Sequence, residues 1–441
     1  MFKTIRNAWK IEELRKKLIF TLLIIIVFRI GSVIPVPFLN MQALDGVMGS
    51  LSEGGSFLAY IDMLSGGAFA NATLFAMSVS PYINSSIIMQ LLTVAIPPLE
   101  NLSKEGEEGR KKIAAITRYV AVLLGLIQGT AYYIYLKHSS YEGTPVTLYN
   151  GGFEGIFSAI IIVLAFTAGT AMMMWLGEQI NQKGVGNGIS VLLFAGIVSR
   201  MPVMIGRLSM YLGAAIQDPS SYGKYYFFVP LFVVVFLAIV WIIVFMNDAE
   251  RRIPVQYAKR VVGRKMYGGQ SSHIPIKVGL SGVMPIIFAS SILLIPTYIY
   301  GLTNPTGVWG AILKSLSYGQ LAYSILYFIL IIGFAYFYVA IQYNPVEMAN
   351  NLRQSNGTIP GIRPGKPTSD FIARVLSKIT LIGALFLSFI ALFPIIYGNA
   401  TQMGGMSLGG TSIIILVGVA LETTKQMESQ MMMRHYKGFL D

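Results

Sequence analysis

The sequence predicts an all-α membrane protein whose ten transmembrane helices form two pseudo-symmetric inverted halves of five. Three observations support this fold class. Hydrophobic residues make up 54% of the 441 residues and charged residues 12%, against about 25% charge in soluble domains. Ten apolar runs are long enough to cross a bilayer. Lys and Arg concentrate in alternate connections between these runs, as they do in cytoplasmic loops.

The ten predicted spans follow one another with polar connections between them. They are Leu18–Ile34, Leu74–Ile96, Ile113–Leu136, Phe153–Trp175, Ile189–Ile205, Tyr226–Met246, Val278–Tyr300, Leu321–Ile341, Ile379–Tyr397 and a weaker run, Leu408–Leu421. No small-residue cleavage site follows the first run, so we expect no cleaved signal peptide. The chain has no Cys, which excludes disulfides and thiolate metal sites, and its three His lie too far apart in sequence to indicate a metal cluster.

The distribution of basic residues predicts the orientation. The N-terminal tail, the connections after spans 2, 4, 6 and 8, and the C-terminal tail carry 26 of the 33 Lys and Arg, whereas the other connections carry 4. Both termini are therefore expected in the cytoplasm. Two cytoplasmic loops, 247–277 and 342–378, are longer than a connection requires. Topology alone explains basic loops, but this length favours docking to RNA or to an acidic protein.

Five spans in each half, residues 1–205 and 206–441, give the halves opposite orientations. This arrangement permits an inverted repeat with a functional site near the midplane. The second span of each half is polar and carries a proline, Pro81 in ATLFAMSVSPYINSSIIMQLL and Pro285 in GLSGVMPIIFASSILLIP. Two proline-broken spans in corresponding positions indicate a gate at that site. Close packing of small hydroxyl residues is the alternative.

The segment Ser56–Gly67 is apolar but too short to cross the bilayer. It is expected to be a re-entrant helix facing a cavity, or else a lid on the outer surface. Arg29, Glu154 and Arg200 are expected to extend toward that outer surface. The spans hold no ladder of buried charges, which disfavours an ion-coupled transporter, and no catalytic pair that would indicate a membrane-embedded enzyme.

The stretch GIRPGKPT is superficially similar to a phosphate-binding loop. A Walker loop needs four residues between its glycines and a Ser or Thr after the Lys. Here three residues separate Gly361 from Gly365, and Pro367 follows Lys366. Proline also has no N–H to offer phosphate. No nucleotide site is therefore expected, and any energy source must come from a partner.

Six stretches, in order along the chain, together resemble the SecY family, whose members form the pore of the bacterial protein-translocation channel. They are SGGAFANATLFAMSVSPYINSSIIMQLL, WLGEQINQKGVGNGIS, AERRIPVQYAKR followed by HIPIKV, GVMPIIFASSI, NPVEMANNLRQSNGTIPGIRPGKPT, and GGTSIIILVGVALETTKQMESQMMMRHYKGF. The resemblance covers essentially the whole chain. It implies an hourglass channel that is closed at the midplane by a ring of aliphatic side chains.

By this resemblance the pore ring is Val79, Ile83, Ile189, Leu193, Ile287 and Ile415. A narrow apolar ring expels water and ions when it is empty. Taken singly, each of these side chains would instead be read as core or lipid-facing. The resemblance also makes Ser56–Gly67 a plug, with Phe57, Tyr60, Ile61, Asp62 and Leu64 as its residues, and with Asp62 keeping one side hydrated.

The resemblance further implies a lateral gate between spans 2 and 7. Its polar residues would be Ser85, Ser86, Gln90, Gln128, Ser290 and Ser291, whose hydrogen bonds are worth about 1 kcal/mol each. Docking of the SecA motor ATPase or the ribosome is expected at Arg251, Arg252, Lys259, Arg260, Arg264, Lys265, Arg363 and Lys366. Arg363 would stand on a stiff turn between Pro360 and Pro364, where its planar guanidinium suits carboxylate or phosphate.

The expected function is passive conduction of unfolded secretory polypeptides, with lateral release of signal sequences and transmembrane segments into the lipid bilayer. The expected partners are the SecE and SecG subunits, SecA, the ribosome, signal peptides and nascent chains. The resemblance implies a bacterial inner membrane, no cofactor and no enzymatic activity. An ion-coupled secondary transporter of a small solute is the alternative.

Overall fold

A computed structural model describes residues 2–53, 62, 65–149, 151–257, 260–262, 265–267, 271–303, 307–317, 319–401 and 410–437. This part of the chain is mostly helical, which confirms the predicted class. The helices are α1 Phe2–Lys10, α2 Glu12–Gly31, α3 Met41–Glu53, α4 Ser80–Ala95, α5 Pro97–Lys104, α6 Glu107–His138, α7 Gly152–Lys183, α8 Gly188–Gln217, α9 Pro219–Tyr222, α10 Tyr225–Asp248, α11 Met284–Thr303, α12 Gly307–Ser315, α13 Leu321–Gln342, α14 Pro345–Gln354, α15 Lys366–Thr401 and α16 Gly410–Lys437.

Six of the described helices are long and apolar enough to cross a membrane, namely α6, α7, α8, α10, α13 and α15. Helices α4 and α5 make a seventh candidate span if they are counted together. The chain bends by 101° between these two helices. The other predicted spans overlap α2, α11 and α16. Every predicted span therefore overlaps a helix, and the count of ten crossings stays a prediction.

The structure corrects the prediction that Pro81 and Pro285 break their spans. Predicted span 2 began at Leu74, but residues 65–79 have turn and bridge backbone and α4 begins at Ser80. Pro81 therefore stands in the first turn of α4, and Pro285 in the first turn of α11. Proline suits this position because the first-turn N–H has no partner within the helix. Each of these prolines begins a helix.

Short β-sheets lie in the connections between helices. The predicted all-α class therefore holds for the spans but not for their connections. Strand β3 (Glu250–Tyr257) pairs antiparallel with β6 (Ser271–Lys277), and its far end also pairs with β7 (Gly357–Thr358). The two long loops that were predicted to dock partners thus meet in one sheet. Elsewhere β1 (Ser140–Tyr141) pairs with β2 (Thr144–Pro145), and β4 (Arg260–Val262) pairs with β5 (Lys265–Tyr267).

The pairing of β3 with β6 was not predicted from the sequence, because prolines lie in both strands. Pro254 stands opposite His273 and Pro275 opposite Arg252, and proline in a strand argues against a central position. Ile253 and Val255 of β3 are buried, 3% and 0% exposed, while their neighbours are exposed. This two-residue period places one face of β3 on an apolar base.

Two apolar clusters hold the spans together. The first joins α2, α4, α7 and α8, and also takes Ile415 and Val419 from α16. The second joins α10, α11, α13, α15 and α16. Val283 and Leu416 pack against both clusters. Helix α16 therefore connects the two halves of the chain.

Gly169 of α7 allows the closest approach between a helix and the irregular segment 65–79. A Cβ at this position would overlap the carbonyl oxygen of Leu74. Glycine alone lacks a Cβ, so this residue lets the segment lie directly on α7. The contact fixes where α4 begins.

Replacing Gly169 with Ala should lower the free energy of unfolding by about 1–3 kcal/mol, because the added methyl group overpacks a rigid contact. Thermal unfolding of the purified protein in detergent measures the effect. Gly213→Ala in α8 is the matched control, since no atom lies within 4 Å of its added Cβ. Equal stability of the two variants would contradict this account of the contact.

Candidate functional site

The six residues predicted to form a ring come from the N-terminal ends of four helices. Val79 and Ile83 lie at the start of α4, Ile189 and Leu193 in the first two turns of α8, Ile287 in the first turn of α11, and Ile415 in the second turn of α16. The start of α8 is defined by Asn187, whose side chain accepts the N–H of Ser190 at 3.4 Å. Asparagine is a favoured helix cap for this reason.

Five of the six residues meet in one apolar cluster. Val79, Leu193 and Ile415 are 1%, 6% and 4% exposed, and Ile83 and Ile189 pack against the same cluster. The cluster draws on both halves of the chain, because Ile415 belongs to the second half. Aliphatic side chains from α4, α8 and α16 therefore converge on one place between the halves.

A cavity of about 500 Å³ borders this cluster and includes the sixth residue, Ile287, in its wall together with Leu193 and Ile415. Glu422 and Lys425 also line the cavity. Glu422 lies seven residues after Ile415, hence on the same face of α16 and about 10 Å along it. The wall therefore changes from apolar at the ring to charged on the side of the predicted cytoplasmic tail.

A side-chain hydrogen bond links α4 to α11, the helices of the predicted gate. Ser291 Oγ donates to Asn84 Oδ1 at 2.9 Å. Ser290, which was also predicted for the gate, donates to Ile287 O of its own helix at 3.0 Å. Asn84 was not in the list of gate residues that the resemblance implied. It lies four residues after Ser80, so the two share one helix face, and this spacing was the sequence feature that could have identified it.

The other predicted gate residues do not bridge α4 and α11. Ser85 is fully buried and its Oγ donates to Thr117 O of α6 at 2.5 Å. Ser86, Gln90 and Gln128 are half-buried. In the described part of the chain, the contact between α4 and α11 therefore has one polar bond.

The predicted plug lies largely outside the described residues, since Phe57, Tyr60, Ile61 and Leu64 are not described. Asp62 is described, and its side chain is 16% exposed. Its carboxylate pairs with Arg200.

Arg29 and Arg200, which were predicted to extend toward the outer surface, both have partners within the protein. Arg29 Nη1 donates to Gly66 O at 3.1 Å and to Ser199 Oγ at 3.0 Å. Arg200 pairs with Asp62. Both cations turn inward because these partners lie within the protein. The third of these residues, Glu154, is exposed at the start of α7.

The predicted docking residues that are described lie on or beside the β3–β6–β7 sheet. Arg251, Arg363 and Lys366 are exposed, and Arg252 is exposed but pairs with Glu250 at 2.7 Å. The backbones of Arg260 and Lys265 belong to β4 and β5, whereas Lys259 and Arg264 lie outside the described residues.

Apolar packing and a hydrogen bond hold the turn that carries Arg363 in place. Ile359 is buried in an apolar cluster with β3 and α15, and Ile362 packs on the same cluster. The Arg363 carbonyl accepts the hydroxyl of Thr368 at 2.8 Å. Tyr343 also packs on this cluster. The turn therefore presents a basic side chain from a fixed base.

Comparison with known proteins gives one consistent result. The family model described as SecY matches residues 73–424. The chain is 42% identical to the protein translocase subunit SecY of Halalkalibacterium halodurans and 43% identical to that of Streptomyces coelicolor, in each case over 100% of both chains. It is 41% identical to the SecY subunit of Thermotoga maritima, over 100% of this chain and 98% of the relative.

Solved structures show the same fold at lower sequence identity. A structure described as a protein-conducting channel has a TM-score of 0.60 at 17% identity and covers 96% of each chain. Sec61 in the canine ribosome–channel complex from the endoplasmic reticulum has a TM-score of 0.60 at 18% identity, again over 96% of each chain.

The bond between Asn84 and Ser291 should appear as a coupling in a double-mutant cycle. Combining Asn84→Ala with Ser291→Ala is expected to give a coupling of about 0.6–1.7 kcal/mol, the range found between membrane helices. Unfolding of the purified single and double variants measures it. Ser290→Ala is the control, because that hydroxyl bonds only its own helix. A coupling between Ser290 and Asn84 as large as that of Ser291 would contradict the assignment.

Proposed function

This chain belongs to the SecY family, and from that premise we propose that it is the channel subunit of a protein translocase, which conducts unfolded secretory polypeptides across a membrane. It is a multi-pass membrane protein. The observation that carries the proposal is the convergence of Val79, Leu193 and Ile415 from both halves beside a cavity that is charged at its other end.

The ring suits a polypeptide because it offers no hydrogen bond to hold one. Aliphatic side chains contact a passing segment through dispersion alone, which is weak for each pair of atoms. The same surface excludes water and ions when no segment is present. An aliphatic ring would therefore exclude water and ions from the empty channel and bind a passing polypeptide only weakly. Val79, Ile83, Ile189, Leu193, Ile287 and Ile415 are its proposed members.

The interface between α4 and α11 is the proposed route into lipid. One hydrogen bond, Ser291 to Asn84, joins the two helices in the described residues. Such bonds contribute about 0.6 kcal/mol on average in membranes. The apolar helix of a signal sequence gains more than this by entering between them and burying its side chains. The gate would thus open for a sufficiently apolar helix and stay shut otherwise.

The energy for movement comes from a partner in this proposal. Arg251, Arg363 and Lys366 are exposed basic residues of the two long loops, which meet in the β3–β6–β7 sheet. Guanidinium groups bind carboxylate and phosphate with defined geometry, so these residues suit either an acidic motor protein or ribosomal RNA. SecA and the ribosome are the proposed partners there, and SecE and SecG the proposed companion subunits. The proposed location is the bacterial inner membrane, with both termini in the cytoplasm.

Reconstitution tests the function. The chain, with SecE and SecG, is placed in lipid vesicles, and SecA, ATP and a precursor with a signal sequence are added. Protection of the precursor from external protease is the expected result. Vesicles that accumulate a small solute on an ion gradient, and protect no precursor, would instead support an ion-coupled transporter.

Replacing Ile415 with Asn should raise the resting ion conductance of reconstituted channels on the order of tenfold, because a 1.4 kcal/mol change in favour of water gives that factor. Ile287→Asn should act in the same direction. Single-channel recording in planar bilayers measures both. The control is Ile382→Asn, whose side chain is 57% exposed on α15, away from the ring. Conductance that matches the control in both variants would remove these residues from the ring.

Replacing Arg363 with Glu should block SecA-driven translocation and leave the folded protein inserted, because the change reverses the charge that meets an acidic partner. Vesicle translocation measures activity, and SecA co-sedimentation measures docking. Lys314→Glu makes the same reversal at an exposed residue of α12, on the side predicted to face away from the cytoplasm. Normal translocation by the Arg363 variant would refute the docking role.

A further inference from the structure

Helix α12 turns an apolar face away from the rest of the protein. Val308 and Trp309 are 76% and 74% exposed, and Ile312 is 45% exposed. Gly310 is buried and Leu313 is half-buried. Successive helical residues lie about 100° apart around the axis, so Gly310 and Leu313 share the face toward the protein. Val308 and Ile312 share the opposite face, and Trp309 stands at its edge.

This helix is too short to cross a bilayer. Its 9 residues, at 1.5 Å each, extend about 13 Å, less than half of the ~30 Å hydrocarbon core. It lies between predicted spans 7 and 8, on the side that the predicted topology places away from the cytoplasm. Contiguous exposed apolar surface marks contact with a membrane or with another protein. The exposed face of α12 therefore calls for an apolar occupant.

The polar groups of α12 are arranged as in a helix that lies on a membrane surface. Lys314 is exposed and comes two residues after Ile312, so it stands on nearly the opposite side of the helix, where it can face water. Ser315 Oγ donates to Ile312 O at 2.7 Å, so this hydroxyl already has a partner beside the apolar face. Trp309 has an apolar body and one N–H, the combination that concentrates Trp at membrane–water interfaces. Apolar and cationic residues on opposite sides are typical of interfacial helices.

The apolar face of α12 lies at the end of an exposed apolar line on α13. Leu321, Ile325 and Ile329 are 78%, 53% and 57% exposed, and their spacing of four places them in one line along the helix. Helix α13 is long and apolar enough to cross a membrane, and lipid tails are as apolar as these side chains. Lipid therefore suits this line. Helix α12 contacts α13 and ends at Ser315, shortly before α13 begins.

We propose that α12 binds the outer surface of the lipid bilayer. Val308, Trp309 and Ile312 lie at the boundary between the headgroups and the acyl chains, and Lys314 faces water. A companion subunit is the competing occupant of this face. Lipid is favoured because the face continues the apolar line of α13, and because its Trp and the opposed Lys match the chemistry of a membrane–water interface.

Binding at this surface holds the outer end of α11 at one depth in the membrane. Helix α11 ends at Thr303 and α12 begins at Gly307, and the two helices contact each other. An interfacial helix can slide within the plane of the membrane, whereas a change of depth would move Trp309 out of the interface. This consequence rests on the proposed function, in which α11 forms one side of the gate. The outer end of α11 therefore moves sideways when the gate opens and keeps its depth.

Fluorescence quenching by brominated lipids tests the lipid contact. The chain has 4 Trp, so changing Trp9, Trp175 and Trp241 to Phe leaves Trp309 as the only reporter. The variant is placed in vesicles with versions of SecE and SecG that lack Trp. Lipids brominated near the headgroup should reduce Trp309 emission more than lipids brominated near the chain ends. A chain that keeps only Trp241, which is 69% exposed on the spanning helix α10, should be quenched more by the deep bromines than Trp309 is.

Moving the reporter to the other side of α12 gives the matched control. In the same background, Trp309→Phe with Lys314→Trp should lose most of the quenching by lipid and gain quenching by aqueous iodide. Equal quenching at the two positions would overturn the orientation of α12. If the Trp-poor chain fails to fold, Trp309→Cys and Lys314→Cys in the chain, which has no native Cys, carry a polarity-sensitive fluorophore for the same comparison.

The outcomes separate the lipid contact from its competitors and from the proposed function. Trp309 emission that no brominated lipid reduces would overturn the proposal, and so would quenching that disappears when SecE and SecG are added. With a precursor arrested in the channel, Trp309 should keep the same order of quenching. A change of order would refute the fixed depth of α11 and leave the lipid contact standing. The idle chain needs no translocation for this measurement, so a failure to translocate would refute the proposed function alone.

Discussion

The irregular segment 65–79 must find partners for its backbone polar groups among apolar helices, and much of the structure depends on that constraint. Non-helical backbone beside membrane helices is tolerated only where protein or a water-filled cavity surrounds it. Here Tyr132 Oη of α6 donates to Phe69 O at 2.6 Å, and Leu74 N–H donates to Ile34 O at 3.0 Å. These hydrogen bonds provide partners for the backbone of the segment. Helix α4 then begins at Ser80, and Val79 packs with Leu193 and Ile415 of the proposed ring.

The same constraint separates two kinds of contact within a short distance. The members of the proposed ring are aliphatic and contact one another by packing, which an apolar occupant can replace at little cost. The contacts outside it are ionic and directional, since Asp62 meets Arg200 and Gly66 meets Arg29. A seal built from packing adapts to many substrates, whereas a contact built from paired charges has one arrangement.

Patterns that depend on neighbours in sequence were predictable, and pairings between distant residues were not. Every predicted span overlaps a helix in the described residues, because hydropathy acts locally. Pro81 and Pro285 were recognised as special but misjudged as breaks, since a proline in a first turn and one in a helix interior look alike without the helix start. The bond between Ser291 and Asn84 was not predicted, because spacing along one helix does not show which residue of another helix it meets. The strands β3 and β6 were missed because their prolines oppose a strand assignment while their pairing favours one.

The sequence by itself determined that the chain lies in a membrane and which family it belongs to, and its basic loops predict an orientation. Composition, charge placement and motif order carry this information, because each acts through solvation or is read along one stretch of chain. Only the tertiary structure decided where Arg29, Arg200 and Asp62 point. The reason is energetic: a charge near the end of a span has water and a buried partner as competing options, and the choice depends on whether folding places an opposite charge or a carbonyl within reach.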